Sequence, residues 1–323
     1  MRILVTGGGG FIGSVVVLKL LEQGHQVRCY LRDPTRAQRL QGLDYETALG
    51  DILDPVATGQ ALEGCEAAIH LACISDWSNI RSGRMQQVVV QGTRNVLEAA
   101  RRAGCRRAVY VSSSLAVCAS ETPRVFDESS PASPHLSSLV YARAKVEAEG
   151  LCRAFCRDGL EVVIVNPCEV YGPRDDRLVT AANLIDFARS SPVLVCDGGT
   201  SVVFVEDVAE GILAALQRGT AGERYILGGE NLTVRQLAEL TLELLGRQQK
   251  IVKMPNKLLR PIAWLGRTLR LPLPFEPEVI PYATLYWFMD NSKACRELNL
   301  SFRSARDTLA PTLRWLQESG HIR

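Results

Sequence analysis

Tyr141 and Lys145 stand four residues apart in the run Tyr141-Ala142-Arg143-Ala144-Lys145. On a helix that spacing puts both side chains on one face. A free phenol has a pKa of about 10 and is a poor base at neutral pH. A nearby ammonium stabilises the phenolate and lowers that value. A tyrosine tuned in this way serves as general acid or base on a hydroxyl or carbonyl. Upstream, Ser112-Ser113-Ser114 follows a short apolar run and offers a hydroxyl to hold a substrate oxygen beside Tyr141.

A second cluster carries binding rather than proton transfer. Thr6-Gly7-Gly8-Gly9-Gly10-Phe11-Ile12-Gly13 lies between an apolar strand and an apolar helix. Glycines let the chain turn sharply and bring backbone N–H groups close to a pyrophosphate, and the helix N-terminus adds a favourable dipole. At the end of the next strand stands Tyr30-Leu31-Arg32-Asp33-Pro34. An acidic residue there holds the ribose of NAD, whereas an arginine favours the 2′-phosphate of NADP. Arg32 comes first, so NADP is expected over NAD, with Asp33 as the competing feature. Arg36 and Arg39 read as a solvated face. Asp51, after another strand, can accept a hydrogen bond from an adenine amino group. A positively charged nicotinamide would help Lys145 to lower the Tyr141 pKa.

These residues need elements to position them. Strands at Ile3–Val5, Gln26–Leu31, Ala67–Ala72, Arg107–Ser112 and Glu161–Asn166 alternate with helices at Phe11–Gln23, Gln87–Ala103 and Ser138–Arg157. That alternation predicts an α/β doubly wound parallel sheet of Rossmann type. After Pro167 helices outnumber strands. Strands are expected at 202–205 and 225–227, with helices at 207–217, from a Thr233 cap to about 245, and at 305–319. The division that follows is interleaved. Residues 1–166 plus about 202–227 form a dinucleotide-binding domain. About 167–201 plus 228–323 form a smaller, mostly helical substrate domain.

Composition narrows the function classes. Of 323 residues, 37 are Lys or Arg and 35 are Asp or Glu, a formal charge of +2. That balance argues against a nucleic-acid partner. The 10 cysteines include no CxxC and no zinc spacing, so they read as small buried apolar residues in a reducing compartment, and no metal is expected. The chain runs straight into its first strand, which leaves no room for a signal peptide, so the cytoplasm is expected.

With those motifs in hand, nearly the whole chain resembles the extended short-chain dehydrogenase/reductases, the superfamily of NAD-dependent epimerase/dehydratases. The glycine-rich loop, Asp51, His70-Leu71-Ala72, Gly92-Thr93-Arg94-Asn95-Val96-Leu97, the serines, Tyr141 and Lys145, Val170-Tyr171-Gly172-Pro173 and Phe204-Val205-Glu206-Asp207-Val208-Ala209 fall in family order. Val27–Pro34, Val165-Asn166-Pro167 and Arg224–Thr233 resemble the dihydroflavonol-reductase-like and hopanoid-associated members. The resemblance implies Ser114, Tyr141 and Lys145 as the catalytic set, with Ser113 as second choice for the serine. It implies cofactor contacts from Thr6, Gly7, Gly10, Phe11, Ile12, Gly13, Arg32, Asp51, Ile52, Leu71, Ala72, Tyr141, Lys145, Pro167 and Val170. It also implies a homodimer through the helices near 87–103 and 138–157.

Three positions depart from the family pattern. Glu169 replaces an asparagine that positions nucleotide-sugars, and a carboxylate facing a diphosphate would repel it unless it turns away into a salt bridge. Leu115-Ala116 replaces an acidic pair, which argues against dehydration. Val89 replaces an asparagine that supports a water near the lysine, so proton relay takes another route or turnover is slow. His70 reads as structural, and His135 sits in a Pro/Ser loop.

The resemblance implies a variable pocket built from Cys73–Arg84, about 167–200 and Leu258–Met289. The last stretch holds Trp264, Phe275, Tyr282, Tyr286, Trp287, Phe288 and Met289, which suggests an apolar lid and a lipophilic or aromatic substrate. The competing reading is the small domain's own core. Arg260, Arg267 and Arg270 exclude a spanning helix, and a membrane surface is the less favoured partner. The leading function is an NADP-dependent oxidoreductase that interconverts a ketone and a secondary alcohol. An NAD-dependent sugar epimerase and a non-catalytic NADP-binding sensor are the alternatives.

Overall fold

The computed structural model describes the chain except residues 75–78, 81, 132, 136–138, 270–272, 274 and 276 and the side chains of Arg36 and Arg267. β1 (Arg2–Thr6) leads through the glycine-rich loop into α1 (Phe11–Glu22), and β2 (Gln26–Leu31) returns parallel to β1. β3 (Glu46–Leu49), α2 (Pro55–Leu62) and β4 (Ala67–His70) follow. A short helix, α3 (Gly83–Gln86), opens into a π-helical turn at Gln87–Gly92 and then α4 (Thr93–Arg102). β5 (Arg107–Val111), the short β6 (Val125–Phe126), α5 (Val140–Arg157) and β7 (Glu161–Pro167) complete this half.

The second half begins with β8 (Glu169–Tyr171), α6 (Ala181–Arg189), β9 (Val193–Val195), β10 (Gly199–Phe204) and α7 (Val205–Arg218). β11 (Arg224–Leu227), β12 (Glu230–Thr233), α8 (Val234–Leu244) and β13 (Ile251–Lys253) come next. Thr233 caps α8 in a reciprocal capping box with Gln236, as its position predicts. The chain ends with α9 (Asn256–Leu269), α10 (Ile280–Ala283), β14 (Tyr286–Met289), α11 (Ser292–Leu298) and α12 (Ala305–Glu318).

Seven parallel strands form the main sheet, in the order β11-β7-β5-β4-β1-β2-β3. Ile3-Leu4-Val5 and Val162–Val165 are wholly buried, which is why they read as unbroken apolar runs rather than alternating ones. α1 and α7 pack together on one face. Val16, Val17 and Leu20 of α1 are fully buried there, each worth about 1.5–3 kcal/mol of apolar transfer. Strand order reverses between β1 and β4, which opens a crevice beyond their carboxyl ends. This is the doubly wound sheet expected from the strand–helix alternation.

Three local expectations are corrected. The strand at 202–205, grouped above with the nucleotide-binding part, is β10, and it pairs with β8, β12 and β14 in a second sheet. The helix expected over Gln87–Ala103 is α-helical only over Thr93–Arg102 and begins as the π-helical turn. Gly92 there lies so close to Ile52 that a Cβ would sit 2.5 Å from its Cδ1. The Leu258–Met289 stretch is not one lid. Tyr282, Tyr286, Trp287 and Met289 are buried, whereas Trp264 on α9 is 58% exposed. Ser138, the expected start of α5, lies outside the described residues, as do Ser75–Ser78 of the variable loop. Among the described residues no helix is long and apolar enough to cross a membrane.

Candidate active site

The glycine-rich loop joins β1 to α1 at the strand reversal. Gly7 has φ +73°, and a Cβ there would lie 2.8 Å from the Ala72 nitrogen. A Cβ on Gly13 would lie 2.1 Å from the Gly7 oxygen. Only glycine fits either place. Gly10 donates its N–H to the Gly7 carbonyl at 3.0 Å and closes the turn. α1 starts at Phe11 with no side-chain cap. The N–H groups of Phe11, Ile12 and Gly13 therefore stand at an uncapped positive helix end, the arrangement that receives a phosphate.

Thr6 and His70 tie this loop to the neighbouring strand. The Ala72 N–H donates to Thr6 Oγ1 (3.2 Å), and Thr6 Oγ1 lies 2.7 Å from His70 Nδ1. His70 Nε2 lies 3.1 Å from Thr93 Oγ1, which donates to the Val89 carbonyl. Thr93 gives its proton to Val89, so it must accept from His70 Nε2–H. Nδ1 is then the acceptor for the Thr6 hydroxyl, which assigns the tautomer. Burial lowers the His70 pKa to about 3, and the ring is neutral. His70 is structural, as expected, and it links β1, β4 and the π-helical turn. Leu71 continues the link by donating its N–H to the Thr6 carbonyl at 3.2 Å.

At the end of β2, Arg32 is exposed. Asp33 turns to its own loop, where Oδ1 accepts from the Thr35 nitrogen (3.1 Å) and the Thr35 hydroxyl (2.6 Å). Arg39 is not a solvated residue. Its guanidinium donates to the Gly9 carbonyl (3.2 Å) and the Arg174 carbonyl (3.0 Å) and pairs with Asp176 at 2.8 Å. It pins the glycine-rich loop to the segment after Pro173, and no local sequence signal announces a contact across such separations. Arg36 has no described side chain. Asp51 holds the Leu53 N–H (3.0 Å) and an ion pair with Arg84 (3.1 Å). Ile52 is buried against Gly92, and its carbonyl accepts from Asn95 at 2.9 Å. Pro167 ends β7 opposite Leu227, and Val170 lies in β8 opposite Val203.

Tyr141 and Lys145 do share one buried face of α5. Lys145 Nζ donates to the Val111 carbonyl at 2.9 Å and lies 5.0 Å from the Tyr110 ring centre and 5.8 Å from that of Tyr141. Burial pushes its ammonium down. The Tyr141 phenol meets the Cys73 thiol and lies near Tyr282, and burial first, then these neighbours, push it well above its ordinary value. Here desolvation outweighs an ammonium that is itself buried and turned toward a carbonyl, and the expected lowering counts on the nicotinamide charge as well. Cys73 beside Tyr141 is a second residue that spacing alone does not reveal.

The three serines separate by role. Ser112 donates to Glu149 at 2.7 Å, and Ser113 accepts the Leu115 N–H at 3.2 Å. Ser114 is buried, its hydroxyl meets the Cys168 thiol and its short turn packs on α5. Glu149, one helical turn beyond Lys145, is 1% exposed. It accepts from Ser112 and from Asn166 (2.7 Å) and lies 3.5 Å from Arg224 and 3.4 Å from Arg153. Asn166 also donates to the Ser113 carbonyl at 2.8 Å. Glu149 thus anchors the serine loop between β5 and β7. Its signal in the sequence was an acid on the buried face of an amphipathic helix. Among the described residues no cluster of His, Cys, Asp or Glu could hold a metal.

The model of the NAD dependent epimerase/dehydratase family matches residues 3–228. The chain belongs to that family. It is 33% identical to a Synechocystis protein provisionally named dihydroflavonol 4-reductase, over 99% of this chain and 95% of the relative. It is 32% identical to the 4-hydroxy-2-methyl-3-oxo-4-farnesyl-3,4-dihydroquinoline-1-oxide ketoreductase of Stigmatella aurantiaca, over 83% of this chain and 80% of that one. Its fold matches the crystal structure of a nucleoside-diphosphate-sugar epimerase from Pseudomonas aeruginosa with a TM-score of 0.81 and 26% identity, over 100% and 99% of the two chains. The protein is an NAD(P)-dependent oxidoreductase of the short-chain dehydrogenase/reductase type.

As a family member it should hold a nicotinamide dinucleotide, and its residues fit one. Gly7 and Gly13 let the loop close tightly on Ala72 and on itself where a Cβ would clash, and the uncapped start of α1 supplies the donors for a pyrophosphate. Two family departures resolve in the structure. Among the described residues Glu169 has no salt-bridge partner. Its Oε1 accepts from the Tyr171 hydroxyl (2.7 Å) and Asn183 (2.9 Å), and burial raises its carboxyl. Val89 is buried in the π-helical turn and contributes its carbonyl to the Thr93–His70 chain.

Proposed function

We propose that this protein is an NADP-dependent reductase that interconverts a ketone and a secondary alcohol on a mostly apolar molecule. The observation that carries the reading is the setting of Tyr141. Tyr141 is 7% exposed, shares a buried helix face with Lys145 and meets the Cys73 thiol, and burial raises its phenol further above the ordinary value. A neutral phenol in apolar surroundings is placed to give a proton to a ketone oxygen. Bound NADPH would supply the hydride. Ser114 would hold the ketone oxygen toward Tyr141. Lys145 stands below both tyrosine rings and would restore charge balance as the proton leaves Tyr141. The name of the Stigmatella relative, a ketoreductase of a farnesylated ring, supports a lipophilic substrate.

NADP is preferred over NAD because Asp33 is occupied by Thr35 while Arg32 stays exposed at the end of β2. The test is on purified protein. Any nucleotide released on denaturation is identified, and the untreated protein is titrated with NADPH and NADH. Reversible binding that favours NADPH supports the reductase. A full complement of trapped NAD supports an epimerase instead, since that cycle never needs to release its cofactor.

A further inference from the structure

α9 carries an apolar face that nothing in the described chain covers. Leu258, Ile262, Leu265 and Leu269 recur at helical spacing on one side and are 59%, 41%, 45% and 58% exposed, and Trp264 flanks them at 58%. These are five of the eleven large apolar side chains the described surface exposes. The helix is held to the protein along a narrower edge, where Leu259 and Ala263 pack with Ile280. An α9 of 14 residues is about 21 Å long, so the apolar face is extended rather than a single protruding side chain.

Charge says what covers it. From Lys250 to Arg270 the sequence has six Lys or Arg and no Asp or Glu, although the whole chain is nearly balanced at +2. Among the described side chains two of these cations are paired within the fold, Arg260 with Glu121 at 2.7 Å and Lys253 with Asp197 at 2.6 Å. Lys250 and Lys257 are exposed. An apolar stripe with a basic border and a tryptophan fits a helix that lies in the plane of an anionic bilayer, its leucines in the acyl boundary and its cations at the headgroups. A second copy of this chain would bring the same cations against each other.

We propose that α9 docks the protein onto the surface of an anionic phospholipid bilayer. α10 packs on α9 and carries Tyr282, which lies near Tyr141. Docking would bring the substrate pocket to the membrane surface, where a lipophilic ketone is dissolved. That consequence rests on the reductase reading, whereas docking itself does not.

The test is co-sedimentation of the full chain with vesicles of phosphatidylcholine alone or with about one-third phosphatidylglycerol. We expect binding to the anionic vesicles that weakens in roughly 0.5 M salt. Ile262→Glu with Leu265→Glu should weaken it at least about tenfold, with unchanged melting and nucleotide binding. Lys257→Glu should weaken it more mildly and leaves the apolar stripe intact. Absence of binding to either vesicle overturns the proposal. So does binding that the double variant leaves unchanged. A wild-type dimer that the double variant dissociates, without vesicle binding, assigns the face to a second copy and also overturns it. None of these readings needs turnover, so failure of the reductase assignment would be seen separately.

Discussion

Lowering the pH should expose the buried His70 link directly. Folded His70 is held neutral with a pKa of about 3, whereas an unfolded histidine titrates near 6.5. Between those values the unfolded chain binds a proton that the folded chain refuses, so stability falls as pH falls. The contribution is fully present above about pH 7.5 and is lost progressively toward pH 3. At pH 5 the gap to the unfolded pKa is about 1.5 units, or about 2 kcal/mol at 1.36 kcal/mol per unit. Carboxylates titrate in the same range, so the comparison must be with His70→Gln, whose amide can still donate to Thr93 and accept from Thr6. Urea unfolding at pH 7.5 and pH 5 measures both proteins. The wild type should lose about 2 kcal/mol more than the variant over that interval. Parallel losses, within about 0.5 kcal/mol, would refute the lowered pKa of the buried histidine.

Three further outcomes follow from the site. Tyr141→Phe should cut ketone turnover by about 10²–10⁴ while the nucleotide Kd, read by fluorescence titration, stays nearly unchanged. Gly13→Ala drives a Cβ onto the Gly7 carbonyl and should weaken nucleotide binding at least about tenfold, measured by calorimetry. Glu149→Gln removes the charge that Arg224 and Arg153 face and disturbs the bonds from Ser112 and Asn166. It should cost about 2–4 kcal/mol in urea unfolding and lower turnover through the displaced serine loop.

The features legible in the sequence are those that local spacing determines. The glycine-rich loop is read from neighbours within one turn, and Tyr141 and Lys145 from one helical repeat. The central strands are read from runs such as Val162–Val165 that only a sheet covered on both faces can bury. What the sequence hides depends on contacts across the chain. Arg39 looks like surface until Gly9 and Arg174 meet it. The π-helical turn at Gln87–Gly92 accompanies the close approach of Ile52, some forty residues earlier. The Tyr141 pKa has the opposite direction to the one its neighbour Lys145 suggests, because burial is a tertiary property. Trp264 and Trp287 are the same residue type in one apolar stretch, yet one lies in an exposed helix and the other in a buried strand. Composition cannot separate them, and strand pairing does.

The most direct test of the central claim is a single turnover with deuterium-labelled NADPH and a hydrophobic ketone. The account predicts one deuterium on the new carbinol carbon, a single alcohol stereoisomer and one NADPH consumed per product, all lost in Tyr141→Phe. Inversion of a sugar-nucleotide carbinol with no net NADPH consumed, or undiminished turnover in Tyr141→Phe, would contradict it.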